Sequence, residues 1–167
     1  MIGFGVKEIR FFLKVPKYFF RQTSADIIAT YIEQPFYCID SVHSLIKKDE
    51  RFKLKYILSV LNSKLGNHLY HLLIAEKGKV FAQVKLTFLR KIPIKIANEI
   101  QQDLLVNYVD KLLNLSKDID RDNIINKIDT LVYKLYNLNY DEVKIIDPEI
   151  ENIISREEYN ADIDIFK

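Results

Sequence analysis

The chain reads as an α/β (α+β) fold: a small twisted mixed β-sheet packed with a long helix, followed by a C-terminal helical appendage. Three observations carry this reading. Aromatic and β-branched runs separated by turn residues fill the region up to about residue 48. A four-residue spacing of apolar side chains begins near Leu54, and amphipathic helical patterns take over after residue 98.

The elements follow in order. Lys17–Arg21 holds Tyr18, Phe19 and Phe20, residues 26–32 hold Ile27, Ile28, Thr30, Tyr31 and Ile32, and a third run covers Phe36–Ile39 and Val42. Such residues suit half-buried strands, and Ser24–Asp26 and Glu33–Pro35 supply turn chemistry between them. Phe11–Leu13, before Pro16, reads as a further strand or a lead-in. Ile57, Leu61, Leu65, Leu69 and Leu73 then form one stripe, which predicts a single helix over 54–74. Gly66 inside it costs about 1 kcal/mol relative to alanine, which points to close packing on the sheet. Residues 75–81 form a loop with Lys77-Gly78-Lys79 at its tip. Val84, Leu86 and Phe88 alternate with Gln83, Lys85 and Thr87, predicting a fourth strand that Pro93 stops.

After residue 98 the periods are helical. Asn98 with Gln101, and Asn139 with Glu142, have capping spacing, so they open helices. Between them a stripe of Ile124, Ile128, Leu131, Val132 and Leu135 marks another helix, and Asp147-Pro148 restarts a final turn. The boundaries are 1–97 for the α/β region, 98–155 for the helical region packed on it, and 156–167 for a frayed acidic tail.

With 167 residues, 49% hydrophobic and 29% charged, the chain suits one domain or one domain with an appendage. Four glycines and four prolines exclude collagen-like and low-complexity chains. The lone Cys38 excludes an internal disulfide and a multi-thiolate zinc site, and it agrees with a reducing cytosol. Lys7, Glu8, Arg10, Lys14 and Lys17 interrupt the first twenty residues, so no secretory signal is expected. Apolar runs stay below the ~20 residues that span a bilayer, so no membrane partner and a cytoplasmic location are expected.

Net charge is +2, but residues 1–95 hold 17 Lys and Arg against 7 Asp and Glu, and residues 96–167 hold 8 against 16. That split gives the two halves different tasks and makes a polyanion the expected partner of the first.

No catalytic centre is evident. His68 and His71 lie three apart on one helix, yet no HExxH motif supplies a zinc site. Cys38 sits among aromatic and β-branched residues, a context of burial rather than nucleophilicity. Glu142-Val143-Lys144, with Asp129 or Asp141 upstream, matches half of a nuclease motif, but Glu142 falls where a helix cap expects an acid. Neither a phosphate-binding glycine loop nor a GxSxG elbow occurs. A methyltransferase's glycine-rich turn and Asn/Asp-Pro-Pro-aromatic tetrapeptide are also missing.

What remains is a binding surface. Lys17, Tyr18, Arg21, Gln22 and Thr23 gather charge, amide and hydroxyl groups on one strand. Arg and Gln side chains suit bidentate bonds to guanine and adenine edges, so Arg21, Gln22, Thr23 and His43 are the base-reading candidates. Lys17, Lys47, Lys48, Lys79, Lys85 and Arg90 are the phosphate candidates, with Arg51, Lys53, Lys55, Lys77 and Lys91 beside them. No catalytic or metal-ligating residue is assigned.

These residues also carry a family resemblance. Pro16-Lys17-Tyr18-Phe19-Phe20-Arg21-Gln22-Thr23, Ile27-Ile28-Ala29-Thr30-Tyr31 and Asp40-Ser41-Val42-His43 resemble the TaqI-like C-terminal specificity domain. So do Tyr56–Leu65 with its Leu61-Asn62-Ser63-Lys64-Leu65 core, Phe88–Ile94, Gln101-Gln102, Val109–Lys111 and Ile128–Leu138. The resemblance runs over roughly 14–146. That domain belongs to adenine-specific DNA methyltransferases and fused type IIG restriction-modification enzymes; specificity subunits of type I systems share a related pattern.

The resemblance implies a sequence-specific target-recognition domain for double-stranded DNA, with no catalysis of its own. A methyltransferase or endonuclease domain or subunit would be its partner, and S-adenosylmethionine would be that partner's cofactor. This chain lacks the methyltransferase core that usually precedes the domain, so it reads as a fragment or a subunit. Two other classes compete. One is a specificity-subunit-like or scaffold protein that docks a partner through its acidic helices. The other is a small hydrolase using His43 or the His68/His71 pair.

Overall fold

The computed structural model describes residues 17–33, 42–45, 49–74, 83–115 and 121–161. Three strands form an antiparallel sheet: β1 (Lys17–Arg21) lies between β2 (Ala29–Ile32) and β3 (Val42–Leu45). The fold is α+β, as the residue patterns predict. The sheet is not mixed, because both described pairings of β1 are antiparallel.

The predicted 54–74 helix is two helices, α1 (Leu54–Asn62) and α2 (Lys64–Leu73), with a break at Ser63. Ser63 is extended, with φ −65° and ψ 159°, and its Oγ accepts from Gly66 N as the N-cap of α2. The apolar stripe continues across the break, so periodicity alone did not reveal it.

The predicted fourth strand is also corrected. Among the described residues only Thr23 and Gln83 form a bridge, with Val84 N donating to Gln22 O at 2.8 Å; Leu86–Leu89 then coils into a short helix, α3. Val84 and Leu89 are buried, and Leu86 and Phe88 half-buried, so one helical turn serves the same residues that an alternating strand would. The loop expected at 75–81 lies outside the described residues.

The remaining helices are α4 (Glu99–Leu113), α5 (Arg121–Leu135), α6 (Tyr140–Ile146) and α7 (Arg156–Ala161), with a 3-10 turn at Ile150–Asn152. Asn98/Gln101 and Asn139/Glu142 each form a reciprocal capping box. Glu142 Oε2 accepts from Asn139 N, so this carboxylate caps a helix and the partial nuclease motif is accounted for. The fraying expected over 156–167 does not hold for 156–161: Tyr159 of α7 is 1% exposed and donates to Leu138 O at 2.8 Å.

The centre of the molecule is α1, which packs against β1, β2, α4 and α5. Tyr56, Val60, Leu105 and Val132 are fully buried in the core they share. A buried amide ties α4 to the chain before α1. Gln102 Oε1 accepts from Lys53 N at 2.8 Å, and its Nε2 donates to Arg51 O and Ala97 O. Two of these three bonds, those to Lys53 N and Arg51 O, cross to the chain before α1, so α4 is fastened directly to the first half.

Candidate nucleic-acid interface

Strand alternation sorts the base-reading candidates. Phe20 is fully buried, and His43 lies opposite it in the sheet, so half-buried His43 shares the covered face. Arg21 is exposed at the end of β1, opposite Val42, and belongs to the other face. The fold therefore separates His43 from Arg21. Gln22 and Thr23 stay beside Arg21, locked to residues 83–84 by the bridge and by the Val84 N–Gln22 O bond.

That bridge brings in the phosphate candidates of the next segment. Lys85 and Arg90 flank α3 as its caps, both exposed, and Lys85 N donates to Tyr70 Oη at 2.8 Å. Tyr70 Oη donates in turn to Gln83 O, so a buried tyrosine of α2 fixes where this basic segment leaves the bridge. Lys91 Nζ lies 5.4 Å from the Phe88 ring centroid. Lys17 starts β1 at the far end from Arg21, about 13 Å away at ~3.3 Å per residue. Lys47, Lys48 and Lys79 lie outside the described residues, as does Cys38.

Not all of the basic surplus faces outward. Lys53 Nζ pairs with Asp103 at 2.5 Å and Glu99 at 3.5 Å, both on α4. Lys55 Nζ pairs with Asp110 of α4 at 2.6 Å and lies 4.7 Å from the Tyr31 ring centroid. Lys64 Nζ pairs with Asp147 at 2.7 Å, and Arg51 with Asp49. Lys53 and Lys55, which stand beside the phosphate candidates in the sequence, are thus engaged by carboxylates of α4. Lys53, Lys55 and Lys64 thus pair basic groups of the first half with carboxylates of the second.

The α1–α2 break reaches the turn between β1 and β2. Asn62 Oδ1 accepts from Ala29 N at 2.9 Å while its Nδ2 donates to Ala29 O at 2.8 Å, a double bond pattern like that of a neighbouring strand. Asn67 Oδ1 accepts from Ile27 N at 2.6 Å. His71 Nε2 donates to Ala25 O at 3.1 Å and lies 3.0 Å from Asp26 Oδ1. Residues 25, 27 and 29 are therefore each held by a side chain of the helical junction. Asn62 and Ser63 are legible in the sequence as part of the Leu61–Leu65 motif, but partners 33 to 46 residues away are not.

Beneath the junction, Asp129 Oδ1 accepts from Lys64 N at 2.8 Å, and Oδ2 has no hydrogen-bond partner among the described residues. Burial pushes this carboxyl up to about 6, against the opposing pull of the Lys64 backbone bond and charge. The folded protein then holds a proton that the unfolded chain releases near 3.8. Stability from this group is full below that value and falls as pH rises through 6, by about 3 kcal/mol in all. Asp129→Asn keeps the acceptor for Lys64 N and is expected to remove that loss. Urea unfolding of both proteins at pH 4 and pH 7 checks it. A variant whose disadvantage grows with pH would contradict the sign.

The described helices include none long and apolar enough to cross a membrane. The model of the TaqI-like C-terminal specificity domain matches residues 5–94. The chain belongs to that family. No curated protein matches the chain. The match takes in the sheet, the Asn62–Asn67 junction and the bridged basic segment, and stops before α4. The likeness of Gln101-Gln102, Val109–Lys111 and Ile128–Leu138 to family helices lies beyond it. A specificity domain of this family carries a DNA-recognition role in restriction-modification enzymes.

Proposed function

We propose that this chain is the sequence-specific target-recognition domain of an adenine-specific DNA methyltransferase or type IIG restriction-modification enzyme, acting in the cytoplasm. It would bind duplex DNA and choose the site at which an attached or partner catalytic domain works. S-adenosylmethionine would be held by that domain, since this sequence has neither a glycine-rich turn nor an Asn/Asp-Pro-Pro-aromatic tetrapeptide. The observation that carries the reading is the family match over residues 5–94, which contain Arg21–Thr23 and the bridged segment with Lys85 and Arg90. The scaffold reading draws less support, because Asp103, Asp110 and Asp147, which it would offer to a partner, are engaged by Lys53, Lys55 and Lys64.

Arg21 tests base reading. Replacing it with alanine is expected to cost about 1–3 kcal/mol on the preferred site and much less on random DNA. Arg90→Ala is expected to weaken binding to all sequences alike and to flatten the log–log salt slope by about one. Selection of preferred sites from a random library, followed by titration at several salt concentrations, measures both. Equal losses for Arg21→Ala on preferred and random DNA would make it a phosphate contact. A parent chain that binds no DNA at low salt would return the scaffold reading.

A further inference from the structure

The geometry points to Asn62, Asn67 and His71 as positioning residues that set the sequence preference of the β1–β2 turn without touching DNA. This rests on the recognition reading above. The turn, residues 22–28, follows Arg21 directly and is fixed from two sides. On one side are the Thr23–Gln83 bridge and the Val84 N–Gln22 O bond. On the other, the junction side chains take Ala25 O, Ile27 N and both polar groups of Ala29.

Regular pairing gives out here: β2 begins only at Ala29, the β1–β2 register ends with the Phe20–Ala29 pair, and one further backbone bond, Arg21 N to Ile28 O at 3.0 Å, closes the ladder among the described residues. A five-residue connection of polar and small residues, Gln22–Asp26, would otherwise sample many conformations. Bidentate base recognition tolerates only about 0.5 Å of misplacement, so a reading group on a loose turn keeps its charge but loses its discrimination. The asparagines act as surrogate strand partners that convert the turn into a rigid platform. Their own placement is set by the break at Ser63, whose Oγ accepts from Gly66 N and donates to Val60 O.

The test uses the full chain. Asn62→Asp keeps shape and acceptor but replaces the donor to Ala29 O by an oxygen. Asn67→Ala removes the acceptor for Ile27 N. Asn67→Asp restores that acceptor and gives up only the long Nδ2 contacts to Asn62 O at 3.5 Å and Ser63 O at 3.3 Å. Amide exchange at Ile27 and Ala29 is expected to accelerate about tenfold in the first two variants, with Val60 and Val132 unchanged. The ratio of affinities for preferred and random DNA is expected to fall about tenfold, at an unchanged salt slope, and Asn67→Asp to recover most of it. Loosened amides with an unchanged ratio would overturn the proposal. So would faster exchange at Val60 and Val132 together with equal losses on both DNAs, the mark of a merely structural role. A parent chain with no sequence preference would instead remove the recognition reading, and the proposal with it.

Discussion

Ending the chain at Ile96 is expected to leave a polypeptide without a cooperative thermal transition. Half of the buried hydrophobic residues among those described lie beyond that point, including Leu105, Val109, Leu131, Val132, Tyr133 and Tyr140. Their loss opens the core around α1, in which Tyr56, Leu58 and Val60 are buried. A fully buried Leu or Val contributes about 1.5–3 kcal/mol, so a handful already exceeds the 5–15 kcal/mol that holds a typical domain together. Polar anchors go as well. Gln102 no longer takes Lys53 N, Tyr136 Oη no longer holds Lys95 N and Pro93 O, and Lys64 N loses Asp129. Circular dichroism melting of both chains checks this. A truncated chain that melts cooperatively near the temperature of the full one would show that the helical region folds independently.

Local signals in the sequence were reliable where one segment decides its own structure. Asn98/Gln101 and Asn139/Glu142 are three apart, and both capping boxes form where that spacing puts them. β1 occupies the residues its aromatic run marks, because Phe20 has a core to enter. The failures share a cause: each was settled by a partner distant in sequence. Ser63 breaks the 54–74 helix so that Lys64 N reaches Asp129 and Asn67 reaches Ile27. Residues 84–89 coil because Tyr70 and Gln22 take the backbone bonds at the segment's start, leaving no neighbouring strand to extend.

The candidate site shows the same division. Arg21, Gln22 and Thr23 stay together because they are consecutive, whereas His43 falls on the opposite face through its pairing register. The count of basic residues marked the first half correctly as cationic. It gave no hint that Lys53, Lys55 and Lys64 serve the acidic helices, since complementary charge across an internal contact looks the same in composition as a free surface.

Gly66→Ala sets two effects against each other, and their magnitudes decide the sign. Gly66 is the third residue of α2, where alanine gains about 1 kcal/mol of helix propensity. A Cβ at this position, however, would sit 2.2 Å from Val60 O and 2.7 Å from Leu61 O, carbonyls of the last turn of α1. Ordinary C···O contacts begin at about 3.3 Å, and neither oxygen belongs to a side chain that can turn away. Relief requires α1 and α2 to separate around Ser63, and overpacking of this kind costs about 1–3 kcal/mol or more. The clash wins, so the variant is expected to lose about 2 kcal/mol net, a fall in Tm of roughly 4–8 °C for a chain of this size. The same opening moves Asn62 and Asn67 apart, so Ile27 and Ala29 are expected to exchange faster than the rest of the sheet. Differential scanning calorimetry and amide exchange on the alanine variant read both. A Tm that rises by the propensity gain would mean that the two helices separate freely, and that close approach at Gly66 does not hold the junction together.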